Sequence, residues 1–192
     1  MRRLTLTLFI IIASWSVAAA QSLLDTFEKN LAQLGVYRAQ FTVEIDGYQT
    51  SGSYIVEGDN FYATMAGVEI YVAQGLKHEV NAEAREVVID SAASLGNDIL
   101  SNPANGFKLL KEQYNLTPTT VDGAPALKLS QKEGSQTILV VADRGGALPK
   151  RIVYSDGGAE LTITFTAIAA TNSPLPLFDA SRYVDYEVVD MR

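Results

Sequence analysis
Short runs of alternating apolar and polar residues fill most of this chain, and such a chain has to build its framework from strands. In the first long run Tyr37, Ala39, Phe41, Val43 and Ile45 point one way while Arg38, Gln40, Thr42 and Glu44 point the other. That is the period of a strand with one buried and one wet face. The run spans 36–46, and others are expected at 48–57, 61–65, 68–73, 76–80 and 85–90, then at about 113–119, 126–131, 136–142, 148–155 and 159–169. Asp46-Gly47, Ala66-Gly67, Gln74-Gly75, Asp122-Gly123 and similar pairs separate them, and connections this short make neighbours antiparallel. A sheet of about eleven strands rarely stays flat. Val87-Val88-Ile89 and Ile138-Leu139-Val140-Val141 are apolar on both faces, so alternation leaves their orientation open.

Two segments break the period. Ser22 followed by Asp25 reads as a helix cap, with Leu23, Leu24, Phe27, Leu31 and Leu34 at helical spacing until Gly35. Ser94 to Lys111 contains Asn102-Pro103 and Asn105-Gly106, which suits two short helices meeting at a bend. The tail crosses Pro174-Leu175-Pro176 and ends in a short extended piece near Tyr183 to Val189. Together these features predict an α+β fold. A single curved antiparallel sheet forms a half-open barrel, and the N-terminal and mid-chain helices cover its concave apolar face.

Residues 1–20 carry Arg2 and Arg3, an apolar run from Leu4 to Val17, and Ala18 and Ala20 ahead of Gln21. This is the layout of a cleaved secretory leader, and the run is too short to span a membrane. The remaining residues, 21–192, are expected to form a single exported, soluble domain. Without Arg2 and Arg3, 13 basic residues stand against 22 acidic ones, a net charge of −9. Such a surface opposes nucleic acid and anionic membranes. The chain has no cysteine, so it has neither disulfides nor a thiol to carry a lipid anchor.

Catalysis is not expected. The one histidine, His78, lies beside Glu79 in a short strand with no nucleophile-elbow sequence, and is read as a surface strand residue. One histidine cannot build the usual transition-metal site and the acids lack calcium-loop spacing, so no metal or cofactor is expected. A hydrolase would require two carboxylates facing each other inside a cleft. The remaining candidate for a working surface is the apolar face of the sheet, which needs a permanent or a removable cover.

Several phrases resemble those of the periplasmic outer-membrane lipoprotein carrier family, LolA. Ala39-Gln40-Phe41-Thr42 falls in the first strand and Gly52-Ser53-Tyr54-Ile55-Val56 in the second. Val72-Ala73-Gln74-Gly75 sits where the family has V-S-D-G, and Glu79-Val80 precedes the stretch leading to the helical insertion. Phe178-Asp179-Ala180-Ser181-Arg182-Tyr183 with Val188-Val189-Asp190 resembles the closing phrase. The best-known branch has a K-R-P phrase whose arginine tethers the helical lid, but here the positions read Glu57-Gly58-Asp59. His78-Glu79 and neighbours replace an L-W-x-Y phrase.

The resemblance implies a periplasmic carrier that shields the acyl chains of lipoproteins and delivers them from inner to outer membrane. Its partners would be the acylated cargo, an inner-membrane releasing transporter and an outer-membrane acceptor, and the chain itself would be a monomer. The cargo wall is expected from Phe41, Val43, Tyr54, Val56, Phe61, Met65, Ile70, Leu129, Ile163 and Phe165. The lid is expected from Leu24, Phe27, Leu31, Ile99, Leu100 and Phe107, closing by apolar contact alone because the arginine is missing. The rival is a lipid- or lipoprotein-sensing module of the same fold in envelope regulation. A sensor needs a surface for its partner, and the chain ends within a few residues of the expected fold, which favours the carrier. N-terminal sequencing of the exported protein is predicted to begin at Gln21, and a chain that stays with the membrane after high-salt washing would contradict the leader assignment.

Overall fold
The structure is a computed structural model that describes residues 23–96 and 98–192. The expected leader, its cleavage point and the Ser22 cap lie outside the described residues. Helix α1 occupies 23–33. The strands β1 (Tyr37–Ile45), β2 (Tyr48–Glu57), β3 (Asn60–Met65), β4 (Val68–Ala73), β5 (Leu76–Asn81) and β6 (Glu86–Ser91) follow as consecutive hairpins. After helix α2 (Gly106–Gln113) come β7 (Tyr114–Val121), β8 (Ala124–Gln131), β9 (Thr137–Ala142), β10 (Pro149–Asp156), β11 (Ala159–Ala170) and β12 (Glu187–Asp190). Asp46 and Gly47, and again Asp122 and Gly123, both have positive φ. This is the two-residue turn whose twist matches that of the strands it joins.

All strands belong to one sheet in the order β12-β6-β5-β4-β3-β2-β1-β11-β10-β9-β8-β7. β12 and β7 are its two edges, so the barrel stays half open. β1 pairs with β11 from Tyr37↔Ala170 to Ile45↔Leu161, with a register shift between Gln40 and Phe41, a bulge that bends the sheet locally. This seam brings the two ends of the domain together at mid-sheet. The expected strands agree with those observed to within two residues, with one addition. The tail forms a twelfth strand, β12, which runs parallel to β6, so the sheet is mixed.

The expected pair of helices between 94 and 111 is corrected. Only α2 is helical. Ala92–Ser94 is a 3₁₀ turn, and the next turns are organised by Asp98, whose Oδ1 accepts from the amides of Leu100 (2.8 Å) and Ser101 (3.0 Å). Pro103 disfavours helix at Asn102. Gly106 then opens α2 against Ile99. A Cβ there would lie 2.9 Å from the Ile99 Cα, so this close packing depends on glycine.

The main core lies on the inner face. Phe41, Tyr54 and Phe165 meet there with ring centroids 5.5–6.4 Å apart, in the tilted and edge-on arrangements aromatic pairs prefer. Gly52 makes room for them, since a Cβ on it would come within 2.7 Å of the Phe41 ring. Burial pushes the Tyr54 hydroxyl well above its ordinary range, with Tyr37 and Tyr154 adding to it.

On the outer face the tail wraps over β3–β6 and builds a second core from Tyr71, Val80, Val87 and Tyr183. His78 is partly covered there, stacked on Phe178 at 4.1 Å, where period two alone had placed it at the surface. The centre of this clasp is Glu69. Its Oε2 accepts from Tyr183 Oη (2.5 Å) and Tyr71 Oη (3.0 Å), and its Oε1 from Tyr62 Oη (2.7 Å). Burial pushes the Glu69 carboxyl up, but the hydrogen bonds from Tyr183, Tyr62 and Tyr71 and the charge of Arg182 outweigh it and hold it below the ordinary value of 4.5.

A carboxyl lowered on folding contributes stability that is present above its unfolded pKa and disappears as pH falls through the folded one. Glu69→Gln is therefore predicted to melt lower than the unsubstituted chain at pH 7, by about 2–8 °C for a loss of about 1–2 kcal/mol. The gap should shrink as pH falls below about 4.5. An equal gap at pH 7 and pH 3 in thermal melts would show that the Glu69 charge does not hold the clasp.

Candidate functional site
The expected wall and lid residues meet in one cluster. Phe41, Val43, Tyr54, Val56, Phe61, Leu129, Ile163 and Phe165 of the sheet and Leu24, Phe27, Leu31, Ile99 and Phe107 of the cover are all buried, and Met65, Ile70 and Leu100 pack against them partly buried. Phe27 and Phe107 join the two cover segments ring to ring, 5.6 Å apart. α1 and the 98–113 segment thus lie over the sheet where the concave face was predicted to be covered.

The three partly buried residues mark where the packing stops. Met65, Ile70 and Leu100 border a cavity of about 740 Å³ between the two wings of the sheet, with Ile45, Tyr154 and Leu161. This is within the size range of small-molecule sites. Its lining includes polar residues from the ends of β7–β11 and from both ends of the 98–113 segment, among them Gln113, Gln131 and Gln136. Tyr114 Oη donates to Gln136 Oε1 across this wall. Burial pushes the Tyr154 hydroxyl up, and the carboxylate of Asp98 adds to it, against a lowering by the Ile99 amide, which donates to Tyr154 Oη at 3.3 Å. These polar lining residues were not among the sequence-predicted site. They lie at strand ends far apart in the chain, and no period signals them.

The cover is not held by apolar contact alone, which corrects that expectation. Lys111 on α2 donates to Asp25 Oδ1 (2.7 Å) and Glu28 Oε2 (2.5 Å) on α1. Asn105 Nδ2 donates to Asp59 Oδ1 at 3.4 Å, so the β2–β3 turn that lacks the family's arginine still touches the cover. Asn30 Nδ2 donates to the Ala147 carbonyl on the opposite wing at 2.8 Å. Burial works against the Lys111 charge, but the two carboxylates outweigh it and raise its pKa. Among the described residues no group of three His, Asp or Glu side chains is placed to hold a metal ion, and no helix is long and apolar enough to cross a membrane.

No family model and no curated protein matches the sequence. Solved structures do match. An uncharacterised conserved protein from Thermus thermophilus superposes with a TM-score of 0.57 at 14% identity, covering 90% of this chain and 99% of that one. A chain of the Pseudomonas aeruginosa MucA/MucB complex superposes with a TM-score of 0.50 at 18% identity over 89% of this chain and 63% of its own length. A LolA superfamily protein from Nitrosomonas europaea gives a TM-score of 0.44 at 10% identity, covering 81% and 94%. The likeness to the first two is one of fold.

Removing the Lys111 charge leaves a carboxylate of α1 half buried without its partner, so Lys111→Met is predicted to cost about 1–3 kcal/mol and to loosen the cover first. Hydrogen exchange should speed up at the amides of 98–113 while those of β1 and β11 keep their protection. Uniform acceleration across the sheet would mean that the cover and sheet form one inseparable core.

Proposed function
We propose that this protein is a periplasmic carrier that shields the acyl chains of lipoproteins in its half-open barrel and passes them between membranes, acting by binding and not by catalysis. The observation that supports this most is the largely apolar cavity of about 740 Å³ at the edge of the inner core, bordered by cover and sheet alike. Each buried methylene is worth about 0.8 kcal/mol, so acylated cargo needs such a shelter to cross water. A shelter that must also release its load needs a cover that can lift, and beside its buried apolar contacts this cover is tied by few polar ones. The polar links from Lys111, Asn105 and Asn30 suit that need, because each can break and be replaced by water.

Two of the three carboxylates that line the cavity are already hydrogen-bonded within the protein. Asp98 is engaged by the Leu100 and Ser101 amides, and Asp156 accepts from Ser135 Oγ at 2.8 Å. The sensor reading draws on the fold shared with a chain of the MucA/MucB complex. A sensor would bind the same acyl groups, so both readings need the cavity.

Phe41 is locked against Gly52 and Phe165, and charging it would damage the fold. Ile70 and Leu161 are better targets because they border the cavity and are only partly buried. Ile70→Glu with Leu161→Glu is predicted to weaken binding of a fluorescent long-chain acyl probe by at least about tenfold, a carboxylate among acyl chains costing more than the roughly 1.4 kcal/mol that tenfold represents. Far-UV circular dichroism should be unchanged. Unchanged affinity in a folded double variant would mean that the cavity is not the acyl site.

A further inference from the structure
We propose that the cavity selects acyl chains whose head group carries no negative charge, such as chains held in ester or amide linkage, and discriminates against anionic amphiphiles. This rests on the reading of the cavity as an acyl-chain site. The interior is apolar, but the mouth is not neutral in its chemistry. Three carboxylates line the cavity, of which Asp156 and Glu160 are exposed and so stand at its mouth while Asp98 is partly buried, and no lysine, arginine or histidine is among the described residues that line it. A chain buried in the pit brings its head to this mouth. An anionic head would meet like charge there without a cation to offset it, partly removed from water, where such repulsion is strongest. An ester or amide head meets no such penalty, and the amides of Gln113, Gln131 and Gln136 in the same lining can donate to its carbonyl oxygen.

The carboxylates act on the cavity itself and not only on solvent. The Tyr114 hydroxyl on the cavity wall is pushed up by burial first, and then by the charges of Asp98 and Asp156. Asp98 is fixed in place by its loop amides and by Ser101 Oγ at 2.6 Å, and Asp156 by Ser135. A carboxylate tied down in this way cannot swing aside to admit an anion. Selectivity arising from overall charge is separable from selectivity arising at the rim, because substituting two rim acids leaves the chain strongly acidic, its net charge going from −9 to −7.

The test uses the chain from Gln21 onward and displacement of a neutral fluorescent alkyl probe by three twelve-carbon ligands below their micelle concentrations: monolauroylglycerol, dodecyltrimethylammonium and laurate. Laurate is expected to bind at least about tenfold more weakly than the other two, with the gap narrowing as salt is added. Asp156→Asn with Glu160→Gln is expected to bring laurate to within about threefold of monolauroylglycerol. Laurate binding as well as the neutral ligand, or a gap that persists in the double variant, would overturn the selectivity. If none of the three displaces the probe, and the probe itself does not bind, the acyl-site reading fails as well.

Discussion
The structure depends on the pairing of β1 with β11. Tyr37 and Ala170 are register partners although most of the domain lies between them, so closing that loop has an entropic cost which only extensive burial can offset. The seam supplies that burial on its inner face. Phe41 opposes Phe165 and Val43 opposes Ile163, and all four side chains are buried. With this pairing at mid-sheet, the β2–β6 and β7–β10 wings extend to either side and curl toward each other. An inner apolar face is the unavoidable product of that geometry.

The two faces of the sheet have been covered by different means, and the difference matters for function. The outer face of β3–β6 is sealed by the tail through stacked rings and a carboxylate that accepts from three tyrosines. Such a network is costly to leave half satisfied, so it behaves as a permanent clasp. The inner face is covered by α1 and the 98–113 segment through buried apolar side chains such as Leu24, Phe27, Ile99 and Phe107 and a handful of partly exposed polar links. Neither the outer clasp nor the β1–β11 ladder draws its hydrogen bonds from α1 or the 98–113 segment.

Much of this was legible in the sequence, and the reasons for the rest are physical. Alternation and turn pairs locate eleven strands because period two and positive-φ turns are local properties. β12 escapes that logic. It is four residues long and pairs in parallel with β6, a contact no hairpin announces. The helix expected before Pro103 gives way to turns because the Asp98 side chain competes for the backbone amides that a helix would use. The buried wall and cover residues were predictable as apolar positions, but which three border a cavity is a matter of where packing runs out. Tyr62, Glu69 and Tyr71 lie on strands whose alternation gives no warning that the tail will cover them, so the clasp was missed. With the LolA family's arginine missing from the β2–β3 turn no tether was expected there, yet Asp59 of that turn accepts from Asn105 of the cover.

Whether the inner face is a shelter that fills and empties is tested most directly by native mass spectrometry of the protein purified from the cells that make it. The predicted result is a population carrying added mass that corresponds to an acyl-bearing molecule and that is released when the protein is unfolded. A bare polypeptide mass throughout, unchanged after incubation with an acylated peptide, would show that the inner face is an ordinary core.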